Sequence, residues 1–459
     1  ARANPSTCRL LAPPPLAAAA RVARAALVAP APPALPAVNL HLQLKRRGHL
    51  PPFLFQGELK MEGLPVSAVP MRVGYAGACG AVLSAIAIWT FKPSPLLAMA
   101  IFLLACAAPM WLIESYRFKQ RGALKNALPV PRWRFQLRIA GLLSVTLLFV
   151  ASSSLVRITT PELLAGLEDQ LLGLIAIIFI WMCWIAIRHP EGRRLDPIES
   201  LGNVSWRYFS KKKKIDRVNK QIILGWLVKA FFLPLMFSWA YDFVCSVIFW
   251  TDNKSQGYYW IFGACFAFMF AVDTAFATIG YCSTSRRIDA HIRSTNNLWQ
   301  GWLFALLCYP PLNQYVSRKV LSYDDGLDWH SWLAPWPLVS AIWGGLILCL
   351  TAIYTLSTIS FGLRFSNLTN RGIITSGPYR FLKHPAYVSK NIAWWLIAVP
   401  FISRENNVEA LSNCLALLGV NVIYWIRAKT EERHLREDPT YRAYADWIEE
   451  NGLWATLLR

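Results

Sequence analysis

Long apolar runs separated by short basic gaps constrain this 459-residue chain more than any other feature. A bilayer core is about 30 Å thick, so a helix needs about 20 mostly apolar residues to cross it. Runs of that kind fall near 73–90, 95–113, 137–156, 170–187, 222–249, 258–281, 298–316, 333–358, 386–402 and 408–426. Backbone amides in lipid must be bonded within their own segment, which selects helices. The expected fold is therefore all-α: a polytopic transmembrane helical bundle of about ten spans. Charged residues make up only 16% of the chain, against about 25% in soluble domains. The run at 298–316 holds Pro310 and Pro311 and admits a re-entrant alternative.

The net charge of +21 would suit a nucleic-acid binder, but the basic residues gather in the gaps between runs rather than on one motif. Stretches 114–138, 188–220, 282–297 and 359–385 are basic, whereas 91–94, 157–169, 250–257 and 403–407 are short or poor in net positive charge. With ten spans every basic stretch falls on one side, and both termini face the cytoplasm. Keeping 298–316 as a crossing is what puts 359–385 on that side. The expected partner of the basic loops is therefore the lipid bilayer and its anionic headgroups, with no role for nucleic acid.

Residues 1–60 are Ala- and Pro-rich and carry no acid before Glu58, so a disordered or non-native extension is expected there. Residues 61–297 read as an N-terminal membrane domain of about six spans. Residues 298–459 read as a C-terminal domain of about four, with polar and aromatic loops. The ten Cys include no CxxC pair and mostly lie within apolar runs, so neither a disulfide framework nor a metal site is expected.

Two polar segments flank the last hairpin. The first is 370–391, NRGIITSGPYRFLKHPAYVSKN. Gly372, Gly377 and Pro378 mark turns, and Pro385 suits the first turn of a helix. His384 then stands at the mouth of that helix with Tyr387 in its first turn, beside unpaired N–H groups. The second segment is 427–448, RAKTEERHLREDPTYRAYADWI, in which Arg427 and Glu431 share a helix face. The hairpin between them goes in and comes back. It returns Arg427 and Glu431 to the face that holds Tyr379, His384 and Tyr387, forming one pocket of aromatic rings, cations, free N–H groups and carboxylates. A sulfonium cofactor with an amino-acid tail needs that mixture.

These segments resemble the isoprenylcysteine carboxyl methyltransferases and their bacterial relatives, a group related to phospholipid N-methyltransferases. The shared pattern is Gly377-Pro378-Tyr379, then Lys383-His384-Pro385-Ala386-Tyr387, a hairpin, Arg427 through Leu435 with Glu431 and Glu432, and Tyr441 with Tyr444. The resemblance implies a membrane methyltransferase that uses S-adenosylmethionine on a lipophilic methyl acceptor. It implies that Arg371, Gly372, Ile373 and Ile374, with Tyr379, His384, Pro385, Ala386, Tyr387 and Glu431, line the cofactor site. It also implies that Arg427 faces the acceptor and acts with Glu431 in catalysis. Lys383, Arg371 and Lys390 depart from the family pattern: Lys383 stands where Arg is usual, Arg371 where His is frequent, and Lys390 where a small or apolar residue is ordinary.

Other readings remain open. A sterol-reductase-like NADPH enzyme would carry an Arg-His-x-Asn-Tyr type motif. A transporter or scaffold would use the intramembrane acids Asp242 and Asp273, either paired with Lys229 or with arginines of other spans, or as polar glue between helices. Glu432 is expected to be a solvated neighbour of Glu431. The segment 286–296, RRIDAHIRSTN, could cover the cofactor pocket.

Overall fold

A computed structural model describes residues 63–119, 131–159, 195–211, 217–252, 259–286, 288–314, 320–323, 328–403 and 406–457. The expected span at 170–187 and residues 1–60 lie outside them. Seven described helices are long and apolar enough to cross a membrane. Six of these are α1 (Met71–Phe91), α2 (Pro95–Lys119), α3 (Arg132–Thr159), α5 (Arg217–Asp252), α6 (Tyr259–Cys282) and α9 (Pro337–Phe361); the seventh is α11, introduced below. Helix α4 (Pro197–Lys211) packs beside the start of α3, with Gly202 and Gly141 letting the two backbones touch. Outward faces are apolar, as at Leu83, Leu104, Leu143, Leu147, Leu346 and Leu415. That is the arrangement of a lipid-facing surface rather than a water-facing one.

The core does not stop at residue 297. Val73 of α1, Phe102 and Met110 of α2, Phe276 of α6 and Ile359 of α9 belong to one buried cluster. A Cβ at Gly74 would lie 2.1 Å from the Ile359 carbonyl oxygen, so α1 and α9 pack backbone to backbone there.

One end of the bundle is marked by a two-stranded antiparallel ribbon. β1 (Ser294–Thr295) follows α6 and β2 (Thr369–Asn370) follows α9, with Ser294 opposite Asn370. Helices α6 and α9 therefore run parallel and finish at the same end. Their starts also share a neighbour, because Trp329 of α8 (Trp329–Leu333) packs on Phe262 and on Gly344. The chain between the ribbon and Trp329 must thus return the full height of the bundle. Its described residues, 296–314, 320–323 and 328, form no single continuous helix, which corrects the expected unbroken helical span at 298–316. α7 (Trp299–Leu306) has eight residues, and turns follow through Pro310 and Pro311, which have no N–H to extend it. Irregular backbone at membrane depth is tolerated where protein surrounds it. Here Trp302 and Tyr309 pack with Phe232, Tyr281 and Phe365.

The last hairpin is α10 (Pro385–Ala398) and α11 (Asn407–Leu435). α10 has 14 residues, a length of about 21 Å, so the run at 386–402 also falls short of a full helical span. Its far end still reaches the start of α9, where Trp343 Nε1 donates to the Leu396 carbonyl at 2.8 Å. α12 (Pro439–Asn451) and α13 (Leu453–Leu457) then fold back across the ribbon end.

Candidate active site

The loop from β2 to α10 is fixed from three sides. Asn370 accepts from the Gly372 N–H at 2.8 Å and donates to Asp438 at 2.9 Å, tying the loop to the first residue before α12. Gly372 has φ +110, a conformation that favours glycine. The Ala68 N–H donates to the Ile373 carbonyl, and the Thr375 hydroxyl to the Pro65 carbonyl, so the irregular segment before α1 straps the loop. Arg371 turns inward and donates to five backbone carbonyls, those of Gly280, Ser283, Ala290, Leu363 and Phe365. Burial and the neighbouring Arg364 charge push its pKa down to about 9, which leaves it charged at neutral pH. Its side chain fastens α6, the 283–290 loop and α9 to the site loop and faces away from the pocket.

The loop continues through a 3-10 turn, Gly377–Arg380, and ends on α10. Tyr379 packs edge-on against Phe361 at 5.4 Å, and its carbonyl accepts from the Tyr444 hydroxyl at 2.7 Å. Burial raises the pKa of both tyrosines, keeping them neutral. Lys383 does not enter the pocket. It reaches the Glu449 carboxylate of α12, and that bond, against the opposing effect of burial and with help from the Lys383 and Arg436 charges, holds Glu449 below the usual carboxylate range.

The two polar segments meet across the hairpin. His384, the residue before α10, places Nδ1 4.0 Å from Glu431 and Nε2 3.1 Å from Glu432. The Tyr387 hydroxyl lies within hydrogen-bond reach of both Glu431 oxygens, at 2.8 and 2.9 Å. The His384 and Tyr387 rings lie parallel, with centroids 5.4 Å apart. Arg427, one turn before Glu431, is 3% exposed. Its Nη2 donates to Asn367 at 2.9 Å, and its guanidinium carbon lies 5.1 to 5.9 Å from the rings of Tyr387, Tyr309 and Tyr424. Its Nε is 3.8 Å from Glu431, is buried, and has no hydrogen-bond partner.

Of the residues the sequence nominates, His384, Tyr387, Arg427 and Glu431 come together, with Pro385 and Ala386 forming the start of α10 between them. Tyr379 lies nearby, pinned from α12. Ile374 joins the main core and Ile373 the cluster with Tyr441 and Tyr444. With Arg371 turned inward, the side chains of Arg371, Ile373 and Ile374 are all committed to packing or to backbone carbonyls. Glu432 is not a solvated neighbour: it is 8% exposed and is bonded to His384. Asn367, Tyr309 and Tyr424 carry no motif, although Tyr424 stands three residues before Arg427 and so shares its helix face. Segment 286–296 supplies β1 and brings Ser294 to 3.3 Å from His434, beside the site loop.

Fold and site together define a polytopic α-helical membrane protein with a cluster of polar and aromatic side chains at the open end of a helical hairpin. Residues 338–437 match the model of the isoprenylcysteine carboxyl methyltransferase (ICMT) family, a stretch that holds both halves of the pocket. Neither a curated protein nor a solved structure matches the chain. The family indicates a membrane methyltransferase.

Proposed function

We propose that the protein transfers a methyl group from S-adenosylmethionine to a lipophilic acceptor at the ribbon end of the bundle, which the basic loops mark as cytoplasmic. One observation carries the reading: Tyr387, Glu431 and Arg427, from opposite arms of the hairpin, share one contact network. The pocket fits the cofactor by its donor set. The Glu431 carboxylate suits the amino-acid ammonium. The stacked His384 and Tyr387 rings suit a cationic sulfonium. The buried Tyr441 hydroxyl has no hydrogen-bond partner, and neither does Arg427 Nε, so polar capacity is left for a ligand.

The bound cofactor supplies an electrophilic methyl group. The chain's own residues supply position and charge. Glu432 holds the His384 ring, and Tyr387 holds Glu431, so the wall is set before either reactant enters. Arg427 presents Nε on the acceptor side, in a buried environment where a fixed charge acts strongly. Calorimetry with S-adenosylhomocysteine on detergent-purified protein tests the reading. Binding is expected, and Glu431→Gln or Tyr387→Ala should weaken it tenfold or more in folded protein. Binding of NADPH in its place would favour a reductase; binding of neither would remove the enzyme reading.

A further inference from the structure

The site loop at 371–376 forms no helix or strand, so its peptide and hydroxyl groups need partners outside it. Residues 64–69, which precede α1 and lie outside the family-matched 338–437, supply many of them. The Ala68 N–H donates to the Ile373 carbonyl at 2.9 Å, and the Thr375 N–H to the Ser67 hydroxyl at 3.2 Å. The Thr375 hydroxyl donates to the Pro65 carbonyl at 2.7 Å, and the buried Ser376 hydroxyl to the Val69 carbonyl at 3.2 Å. Arg364 adds a further tie, donating to the Ala68 carbonyl at 2.6 Å. Leu64 packs on the cluster of Ile373, Tyr441 and Tyr444. That cluster holds the tyrosine whose hydroxyl has no hydrogen-bond partner, Tyr441, and the one that pins Tyr379, Tyr444.

Little of this segment is buried. Val69 is, but Leu64, Pro65, Ser67 and Ala68 are half-buried and Val66 is 88% exposed. A segment held by hydrogen bonds and few buried apolar contacts opens at lower cost than packed helices do. The loop it covers leads directly into Tyr379 and His384, so releasing the segment frees the loop that places both. We infer that residues 64–69 are a positioning element of the cofactor site. Docked, they set the loop at 371–376 for S-adenosylmethionine, and the bound cofactor holds them down in turn. Such coupling is reciprocal, so one factor describes both directions. The identity of the ligand rests on the function proposed above; the docking rests on the contacts alone.

The test joins calorimetry to hydrogen exchange on the full chain in dodecyl maltoside micelles, with S-adenosylhomocysteine as the probe. The Ala68 amide reports the docked segment and the Thr375 amide the loop. Leu64→Ser, Ser67→Gly and Ala68→Pro together remove the apolar contact, the hydroxyl and the N–H. That triple variant should exchange Thr375 faster and bind the probe about tenfold more weakly. In the wild type, saturating probe should slow the Ala68 amide by the same factor, within about threefold. If the triple variant does not fold, Ser67→Ala replaces it. Its Ala68 amide should exchange faster than in the wild type without the probe, and the probe should still slow it. Wild-type affinity in a variant with a loosened loop would overturn the inference and reduce the segment to an anchor for α1. An Ala68 amide that exchanges alike with and without the probe would overturn it too. A wild type that binds no probe would sink the methyltransferase reading and this inference with it, an outcome that calorimetry separates from the other two.

Discussion

Glu431 and Glu432 are adjacent, yet their contacts differ in kind. Glu431 meets Tyr387 and the Arg427 corner, whereas Glu432 is spent on His384 and Lys429. Substitution should separate them. Glu431→Gln removes the carboxylate offered to the ligand, and charged hydrogen bonds contribute about 1.5–3 kcal/mol each. A loss of about ten- to a hundredfold in S-adenosylhomocysteine affinity is expected by calorimetry. Glu432→Gln acts only through the His384 ring, so a loss under about tenfold is expected, and equal losses would refute the division. Arg371 belongs to the fold rather than to the ligand. Arg371→Met removes the guanidinium from five backbone carbonyls, of which those of Gly280 and Ser283 keep a backbone N–H donor; each one left unpaired costs about 1–3 kcal/mol, so a clear drop in the thermal midpoint, or no folded protein, is expected. The motif residues were legible in the sequence because a hairpin of known length returns Arg427 to His384. Arg371 was not, since its partners are backbone carbonyls of segments up to 91 residues away, and a carbonyl carries no sequence signature.

At the scale of elements, the corner between α11 and α12 decides how firmly the pocket is closed from the C-terminal side. Asp438 caps α12 through the Thr440 N–H and accepts from Asn370 of the site loop. Burial acts to raise its pKa, but those bonds and the charge of Arg293 outweigh it, and the carboxyl lies below its usual value. A lowered folded-state pKa stabilises above the unfolded value of about 4 and loses that contribution as pH falls through the folded one. The difference in thermal midpoint between the wild type and Asp438→Asn should therefore be constant from pH 7 to about pH 5 and narrow on further acidification. A difference that widens in acid would show that the carboxylate is not the stabilising form. Apolar periodicity showed the long helices plainly. It could not separate a crossing helix from the short α7 and α10, because the same apolar run serves a helix and a buried irregular segment.

For the whole molecule, most of the described basic residues between helices fall at the ribbon end, whereas Lys92 after α1 and Arg157 in the last turn of α3 lie toward the other. The end of α2 reaches it through Trp111, which donates to Ser283, and α5 starts there with Gln221 donating to Thr295. Arg286, Arg293 and the site loop share it. Charge asymmetry in the sequence anticipated this clustering, because it depends on how many times the chain crosses and not on how each crossing is built. The broken passage between α7 and α8 is the step on which that parity turns. In a cysteine-depleted chain in sealed vesicles, Arg286→Cys and Glu437→Cys should react with a membrane-impermeant maleimide from one face. Asp328→Cys and Asn406→Cys, at the opposite end of the bundle, should react only from the other. If position 328 reacts together with 437, the segment after the ribbon folds back without crossing. Helices α6 and α9 could not then both span a bilayer in the same direction, and the single basic face, with the pocket it surrounds, would be split between two sides.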